Sequence, residues 1–483
     1  MQPLEESHIL LFKGFKVNFV AKIITTICAF LQLLIIIYLI DKSEYGTYAL
    51  SIIPVFLLLN LADLGSRNII IEDSSYDRKM LSSIHWCSIF AGIGLTILTV
   101  VLSYVMSLFY SNQLIFTYGT LLSSVILFQS IGYVYGTLLL GKLEFKQIAS
   151  IEIVISIASL VILWFFAQEG FNAFALIFAI LGKSILELLM NIFYGSKWLK
   201  LSYQINWESI KPILNNSKFQ LGERLINYLN KQADNLIIGK ILGTEILGVY
   251  DILKKLAFKI IEIVNPAITT VSFPIMTTYK HHVETIQKTY LRQLSLISTL
   301  NFPYLVFLIA FADLIIQIFF PQKNLPYNHI LILLSVYFAF YSVGNPVGTL
   351  IMSRGRFKMG FLWNLFVTLI LPIVILIGIT GGLKTAITAM DIMQLFLFFV
   401  MYYFIVRPLS GLSFALYFKT IVLPFLISLI IVGLALMVRL LNFDGITTVV
   451  LAILVVLGSF IPITRIFNRK AYEELTKIIG AKT

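Results

Sequence analysis

About fourteen apolar segments, each long enough to form a membrane-spanning helix, follow one another along this chain of 483 residues. Inside a bilayer the backbone N–H and C=O groups have no water to bond, so a spanning segment satisfies them by forming a helix. The segments cover approximately 16–40, 45–64, 81–109, 113–140, 147–167, 171–194, 218–241, 246–278, 293–320, 327–352, 359–379, 384–407, 416–438 and 446–464. Only 12% of the residues are charged, against about 25% in a soluble domain. The pattern predicts an all-α integral membrane protein.

The basic residues indicate how the chain is oriented in the membrane. The net charge is +12, and roughly 24 Lys and Arg collect at one set of segment ends, against about five at the other. Those five are Lys42, Lys240, Lys323, Lys384 and Arg439. Because cytoplasmic loops are enriched in Lys and Arg, both termini are predicted to be cytoplasmic. The charge therefore indicates membrane topology and not nucleic-acid binding.

One apolar-then-basic phrase occurs twice. "SIGYVYGTLLLGKLEFK" (Ser130 to Lys146) and "SVGNPVGTLIMSRGRFK" (Ser342 to Lys358) align without a gap and share Ser, two Gly, Thr, Leu, Phe and Lys. A second pair, "SEYGTY" (Ser43 to Tyr48) and "TEILGVY" (Thr244 to Tyr250), shares Glu, Gly and Tyr. The first pair covers the ends of segments four and ten and the turns after them, and the second pair follows segments one and seven.

Both pairs are separated by six predicted helices, an even number, so the two copies enter the membrane in the same sense. This arrangement predicts two six-helix bundles related by a parallel repeat, with substrate bound between them. The N-terminal lobe is predicted at 1–200 and the C-terminal lobe at 201–412. Residues 413–483 are predicted to add two helices and a basic cytoplasmic tail.

Charged residues lie inside the seventh segment, where the bilayer makes them costly. At about 100° per residue, Arg224, Lys231 and Asp234 fall on one side of a helix. The first segment, the predicted repeat partner of the seventh, carries Lys22 and Thr26 at a comparable spacing. Intramembrane ionisable residues usually face a cavity or a partner, so these positions are candidate substrate contacts.

The eighth segment carries a second polar stripe, in which Asp251, Lys255 and Lys259 fall on one face. Across both segments the cations outnumber the carboxylates, and an excess of buried positive charge favours an anion. Arg binds phosphate bidentately and Lys binds it as a point charge, so the pattern predicts a phosphorylated lipid headgroup.

Two other interpretations of these charges stay open. Asp251 with Lys255 and Lys259 with Glu262 have the spacing of ion pairs within one helix, as do Lys183 and Glu187 in the sixth segment. Alternatively, segments seven and eight begin as amphipathic helices that lie on the membrane surface.

Three stretches resemble a known family: "SEYGTYAL", "GKLEFKQIA" and the run from Asn227 to Tyr279. They are similar to the polysaccharide-transport branch of the multidrug/oligosaccharidyl-lipid/polysaccharide exporter superfamily, and within it to O-antigen flippases of the Wzx type. The resemblance implies a bacterial inner-membrane transporter that moves undecaprenyl-pyrophosphate-linked oligosaccharide by alternating access. It also implies a glycan polymerase and a chain-length protein as partners.

The resemblance carries the headgroup role to six positions and an ion-coupling role to three others. The implied headgroup contacts are Lys22, Arg224, Lys231, Asp251, Lys255 and Lys259. Related lipid II flippases bind a cation with spans seven, eleven and twelve, where Asp234, Asn364 and Asp391 lie in this chain. No cofactor is expected, and coupling to a proton or sodium gradient is predicted because no nucleotide-binding loop is present.

Two other functions fit the sequence less well. A multidrug extruder of the same superfamily commonly uses an acidic residue in the first span, whereas no carboxylate lies between Glu6 and Asp41 here. An enzyme acting on the same lipid would need a sizeable loop with carboxylates or a phosphate-metal motif, and the sequence has neither. The sequence therefore favours a transporter and not an enzyme.

Overall fold

The computed structural model describes residues 2–66, 70, 78–199, 207–320 and 327–479, and within these ranges it contains helices and no strand. The helices are α1 Gln2–Leu39, α2 Lys42–Leu59, α3 Arg78–Tyr110, α4 Gln113–Gly141, α5 Phe145–Gln168, α6 Ala173–Gly195, α7 Trp207–Ile241, α8 Thr244–Thr278, α9 Val283–Ala310, α10 Ala312–Phe319, α11 Tyr327–Gly344, α12 Val347–Ser353, α13 Phe357–Gly378, α14 Leu383–Met401, α15 Arg407–Ser410, α16 Phe414–Leu436, α17 Gly445–Phe467 and α18 Arg469–Ile479. The prediction of an all-α membrane protein is confirmed.

In the described part of the chain, twelve helical segments are long and apolar enough to cross a membrane. The predicted segments 45–64 and 218–241 also form helices, α2 and α7, but neither is among the twelve. The polar motif at the start of α2 lowers its hydropathy, and eleven of its residues are buried in protein. Helix α7 carries too many charged residues along its length to be as apolar as the twelve spanning segments. The count of fourteen spans is therefore approximate.

The chain divides into two compact units, Met1–Val249 and Tyr250–Thr483. In the first unit, α4 packs against α2, α3 and α6, while α5 packs against α1 and α6. Helix α2 also contacts α7, which brings the polar stripe of α7 next to the end of α2. The predicted lobe boundaries at residues 200 and 412 remain predictions.

The second unit is built around α9, whose spanning part is mostly buried. Helix α9 packs against α11 and α16, and α14 packs against α11 and α13. Pro346 separates α11 from α12, whereas Pro266, Pro274 and Pro372 lie inside helices that continue past them. Pro lacks the backbone N–H that a helix interior uses, so each proline leaves one carbonyl without its helical partner, but of these four only Pro346 coincides with a break.

The repeated phrase folds into the same turn in both units. After α4, the N–H groups of Lys142, Leu143 and Glu144 donate to the carbonyls of Leu138, Leu140 and Leu139. After α12, the N–H groups of Arg354, Gly355 and Arg356 donate to the carbonyls of Leu350, Met352 and Ile351, which are the aligned positions. The bonds from Glu144 to Leu139 and from Arg356 to Ile351 each reach back five residues. Such a bond ends a helix in a Schellman motif. The sequence repeat is therefore also a structural repeat.

The other repeated motif brings two backbones together within the first unit. A Cβ added to Gly46 would collide with the carbonyl of Thr244, and a Cβ added to Gly248 would collide with the carbonyl of Lys42. Each glycine thus faces the backbone carbonyl of the residue four positions before the other glycine. The Ser43 and Thr244 hydroxyls lie 2.8 Å apart beside this contact. The two copies of the motif therefore touch reciprocally, as in a two-fold symmetric contact.

Candidate functional site

The predicted cation Arg224 lies on α7 in an ion pair with Asp63, which follows the end of α2. One guanidinium nitrogen of Arg224 donates to both carboxylate oxygens of Asp63, at 3.0 and 2.8 Å. The side chains are 31% and 16% exposed, respectively. The backbone N–H of Gly65 also donates to Asp63 at 3.0 Å and orients the carboxylate. The arginine is therefore partly accessible and held by one acidic side chain.

Lys231 and Asp234 continue the polar stripe along α7. The Lys231 side chain is exposed, whereas Asp234 is buried and accepts a hydrogen bond from the Asn235 N–H at 2.8 Å. Lys231 interacts with another group of the protein, and Asp234 has a partner besides Asn235. Arg224 and Lys231 thus lie on the same helix as charged groups of different accessibility.

On α8 the predicted cations pair along their own helix. The Lys255 ammonium lies 2.7 Å from the carboxylate of Asp251, and the Lys259 ammonium lies 2.9 Å from that of Glu262. Asp251 is buried, while the Lys255 side chain is 53% exposed. This is the pairing that the sequence left open as an alternative to an anion site. The Lys259–Glu262 pair is exposed on both sides, and pairs of that kind contribute only about 0–1 kcal/mol. Lys255 instead pairs with a buried carboxylate but keeps half of its own side chain exposed.

Lys22 differs from the other predicted cations. Its side chain is exposed, and no ion pair joins it to a carboxylate in the described part of the chain. The hydroxyls of Thr25 and Thr26 donate to its carbonyl oxygen at 3.0 and 2.7 Å. These bonds involve the backbone carbonyl of Lys22 and not its ammonium group.

The three predicted ion-coupling residues are divided between the units. Asp234 is in the first unit, and Asn364 and Asp391 lie on the neighbouring helices α13 and α14 of the second. Both carboxylate oxygens of Asp391 are buried, and neither has a hydrogen-bond partner among the described residues. A carboxylate in that position is costly unless it binds a proton or a cation. Within the described ranges no group of three or more acidic, His or Cys residues is arranged to hold a metal ion.

One predicted pair within a helix is wrong. The described residues contain no ion pair between Lys183 and Glu187, and Glu187 instead accepts a hydrogen bond from Gln129 of α4 at 2.7 Å. The contact with the neighbouring helix competes for the carboxylate. Asp63 and Gln129 are polar partners that sequence reasoning missed. The only signal for Asp63 was an acidic residue in the short polar stretch that ends α2.

A family model described as "Polysaccharide biosynthesis protein" matches residues 35–329. The lipopolysaccharide biosynthesis protein WzxC of Escherichia coli K12 is 26% identical over 417 residues, 86% of this chain and 85% of that protein. The teichuronic acid biosynthesis protein TuaB of Bacillus subtilis is 26% identical over 374 residues, 76% of each chain.

Two solved structures share the fold. The lipid II flippase MurJ in an inward closed conformation superposes with a TM-score of 0.71 and 15% identity, covering 95% of this chain and 99% of that one. An inward-facing multidrug resistance MATE family transporter of the MOP superfamily superposes with a TM-score of 0.64 and 14% identity, covering 80% and 95%. The chain therefore shares the fold of these two proteins.

Proposed function

The chain belongs to the polysaccharide biosynthesis protein family, and from that premise we propose that it is a flippase for a lipid-linked oligosaccharide. Its substrate is an oligosaccharide linked through pyrophosphate to undecaprenol. The protein moves this headgroup from the cytoplasmic to the outer leaflet of the bacterial inner membrane by alternating access, with both termini in the cytoplasm. The polar head must avoid hydrocarbon during this movement, while the lipid tail can stay in the bilayer.

The observation that carries this proposal is the state of the predicted cations. Arg224 is held by one carboxylate and stays partly exposed, and Lys255 stays exposed beside Asp251. Pyrophosphate carries more negative charge than a carboxylate and offers more acceptor oxygens, so it competes well for both cations. The headgroup contacts in this proposal are Lys22, Arg224, Lys231, Asp251, Lys255 and Lys259.

We further propose that transport is coupled to a proton or sodium gradient through Asp234, Asn364 and Asp391. The support is the buried carboxylate of Asp391, which has no hydrogen-bond donor among the described residues. Taking up a proton or a cation would neutralise this charge. A glycan polymerase and a chain-length protein are the proposed partners after the headgroup reaches the outer face.

The proposal predicts that Arg224→Ala and Lys231→Ala each lower surface polysaccharide at least about tenfold, since charge-assisted contacts to phosphate are lost. The variants are expressed in a deletion strain, and extracted polysaccharide is measured together with the amount of protein in the membrane. Arg224→Lys is expected to be milder because it keeps the charge. Asp63→Asn is the matched control, because it leaves Arg224 charged and should retain polysaccharide. Normal polysaccharide in both alanine variants would remove these residues from the mechanism.

The fold shared with multidrug transporters supports one alternative, a drug extruder. In that case the deletion strain would become sensitive to cationic drugs and keep its surface polysaccharide. The polysaccharide and drug-susceptibility measurements on one deletion strain therefore separate the two functions.

A further inference from the structure

Helix α6 exposes two opposite faces of different character. One face carries the exposed apolar side chains Ile185, Leu189 and Phe193, the last of them 76% exposed. Lys183 and Glu187 each lie two residues before a member of that row, about 200° around the helix. Lys183 is exposed and Glu187 is half-buried. Charged side chains are too costly to face lipid, so the apolar row is the lipid-facing side of α6 and the charged face turns away from lipid, toward α4.

The polar face continues onto the neighbouring helix α4. The amide of Gln129 donates to Glu187 at 2.7 Å. Between residues 122 and 141 every side chain of α4 is buried or half-buried, so this part of α4 has no lipid-exposed apolar row. Gln129 and Tyr133 are both half-buried and lie one turn apart on one face. Together Gln129, Tyr133 and Glu187 form what we name the α4–α6 polar strip.

The α4–α6 polar strip leads to the arginine assigned to pyrophosphate. The Ser66 hydroxyl donates to the carbonyl of Asp63 at 2.8 Å, and its oxygen lies 3.3 Å from the Tyr133 hydroxyl. Asp63 in turn binds Arg224. The strip rises only about 6 Å along α4 from Tyr133 to Gln129, which is the size of one sugar ring. All of these residues belong to the first unit.

We infer that the α4–α6 polar strip is a binding subsite for the sugar attached directly to the pyrophosphate. This inference rests on the proposed function. A sugar presents several hydroxyl groups, each a donor and an acceptor, and the strip offers a carboxylate, an amide and a phenol that match them. A carboxylate has about four acceptor positions, and Gln129 fills one of those of Glu187. A polar site of this kind discriminates strongly against a ligand that lacks the matching hydroxyl.

The first test asks whether the strip faces water. With the native Cys28 and Cys87 replaced by serine, Gln129→Cys and Leu189→Cys are each labelled in native membranes with a charged maleimide. Gln129→Cys is expected to react, and Leu189→Cys, on the lipid-facing row, is expected to stay unlabelled. Equal labelling of both, or labelling of Leu189→Cys alone, would overturn the assignment of the two faces.

The second test measures binding of two kinds of probe to the purified full-length protein. The probes are undecaprenyl pyrophosphate and a panel of the same lipid carrying one hexose or one N-acetylhexosamine. We expect at least one sugar-bearing lipid to bind about tenfold tighter than the bare lipid, because hydrogen bonds to a charged group are made. Glu187→Ala and Gln129→Ala should remove that preference and leave binding of the bare lipid within about twofold. Leu189→Ala is the control and should keep the preference.

The outcomes separate this inference from the proposed function. If the wild-type protein binds neither kind of lipid, the proposed function fails. If it binds the lipids without preferring any sugar, or if Glu187→Ala weakens bare and sugar-bearing lipids equally, the subsite is wrong while the flippase proposal stands. Arg224→Ala is expected to weaken all the probes alike, since pyrophosphate is common to them.

Discussion

At the scale of single residues, Leu143 has a backbone conformation that suits glycine better. Its φ is +57°, and the aligned residue of the repeat, Gly355, has φ +67°. A left-handed conformation costs a residue with a Cβ roughly 1–2 kcal/mol, while glycine adopts it freely. Leu143 is 52% exposed, so burial offsets little of that cost. The same turn is therefore built at a higher cost in the first unit than in the second.

Leu143→Gly is expected to raise the thermal midpoint of the purified protein. The relief of the left-handed conformation exceeds the extra chain entropy of glycine by roughly 0.5–1 kcal/mol. Gly355→Leu should lower the midpoint for the reverse reason, by about 1 kcal/mol or more in unfolding free energy. Thermal unfolding in one detergent gives both values. A lower midpoint for Leu143→Gly would mean that the exposed side chain makes contacts worth more than the strain.

At the scale of helices, the contact between α2 and the start of α8 depends on the absence of side chains. Because Gly46 and Gly248 have no side chain, the two backbones come close together. The Cα of Gly46 then lies against the carbonyl of Thr244, and the Cα of Gly248 lies against the carbonyl of Lys42. Around this contact, Glu44 accepts hydrogen bonds from the Tyr118 hydroxyl and from the Ala173 N–H at the start of α6, both at 3.2 Å. The "SEYGTY" motif therefore ties α2 to three other helices and has a structural role.

Gly46→Ala and Gly248→Ala are each expected to lower the thermal midpoint, because the added methyl group meets backbone that cannot rotate away. Overpacking of this kind costs about 1–3 kcal/mol. Gly94→Ala in α3 is the matched control, since its Cβ would meet no atom within 4 Å. That control should be neutral or stabilising by up to about 1 kcal/mol, as expected for Gly to Ala within a helix. Unchanged midpoints for Gly46→Ala and Gly248→Ala would contradict the close contact.

At the scale of the whole molecule, the two units share a repeated turn but differ in their charges. The polar strip of the first unit leads to Arg224, whereas the second unit holds a buried carboxylate, Asp391, without a hydrogen-bond donor among the described residues. The proposed sugar subsite lies in the first unit, whereas the buried carboxylate that supports the proposed coupling lies in the second.

Coupled transport predicts that flipping in reconstituted vesicles depends on an imposed gradient. A proton or sodium gradient should speed transport of a lipid-linked glycan, and an ionophore should reduce it at least about tenfold, the effect of about 1.4 kcal/mol. Asp391→Asn, which removes the charge, should lose this dependence while keeping headgroup binding. Full transport without any gradient would contradict the proposed coupling. Transport would then be a downhill process, driven by removal of the glycan on the far side of the membrane.

The sequence alone was enough to predict the helical membrane fold, the repeat and the family. Long apolar segments have one means of satisfying their backbone groups in lipid, and a repeated phrase folds into a repeated turn because its hydrogen bonds are local. The sequence also indicated the ion pairs Asp251–Lys255 and Lys259–Glu262 as one possibility, because residues three or four positions apart share a helix face.

Only the tertiary structure decided which helix each polar face meets. Periodicity places Arg224 and Glu187 on a face of a helix but gives no information about the neighbour opposite that face. Asp63 binds Arg224 from 161 residues away, and Gln129 binds Glu187 from 58 residues away. Packing of whole helices brings these partners together, and the apolar contacts that choose the packing are spread over many residues. For that reason the sequence indicated where the charges lie, and the fold determined what they contact.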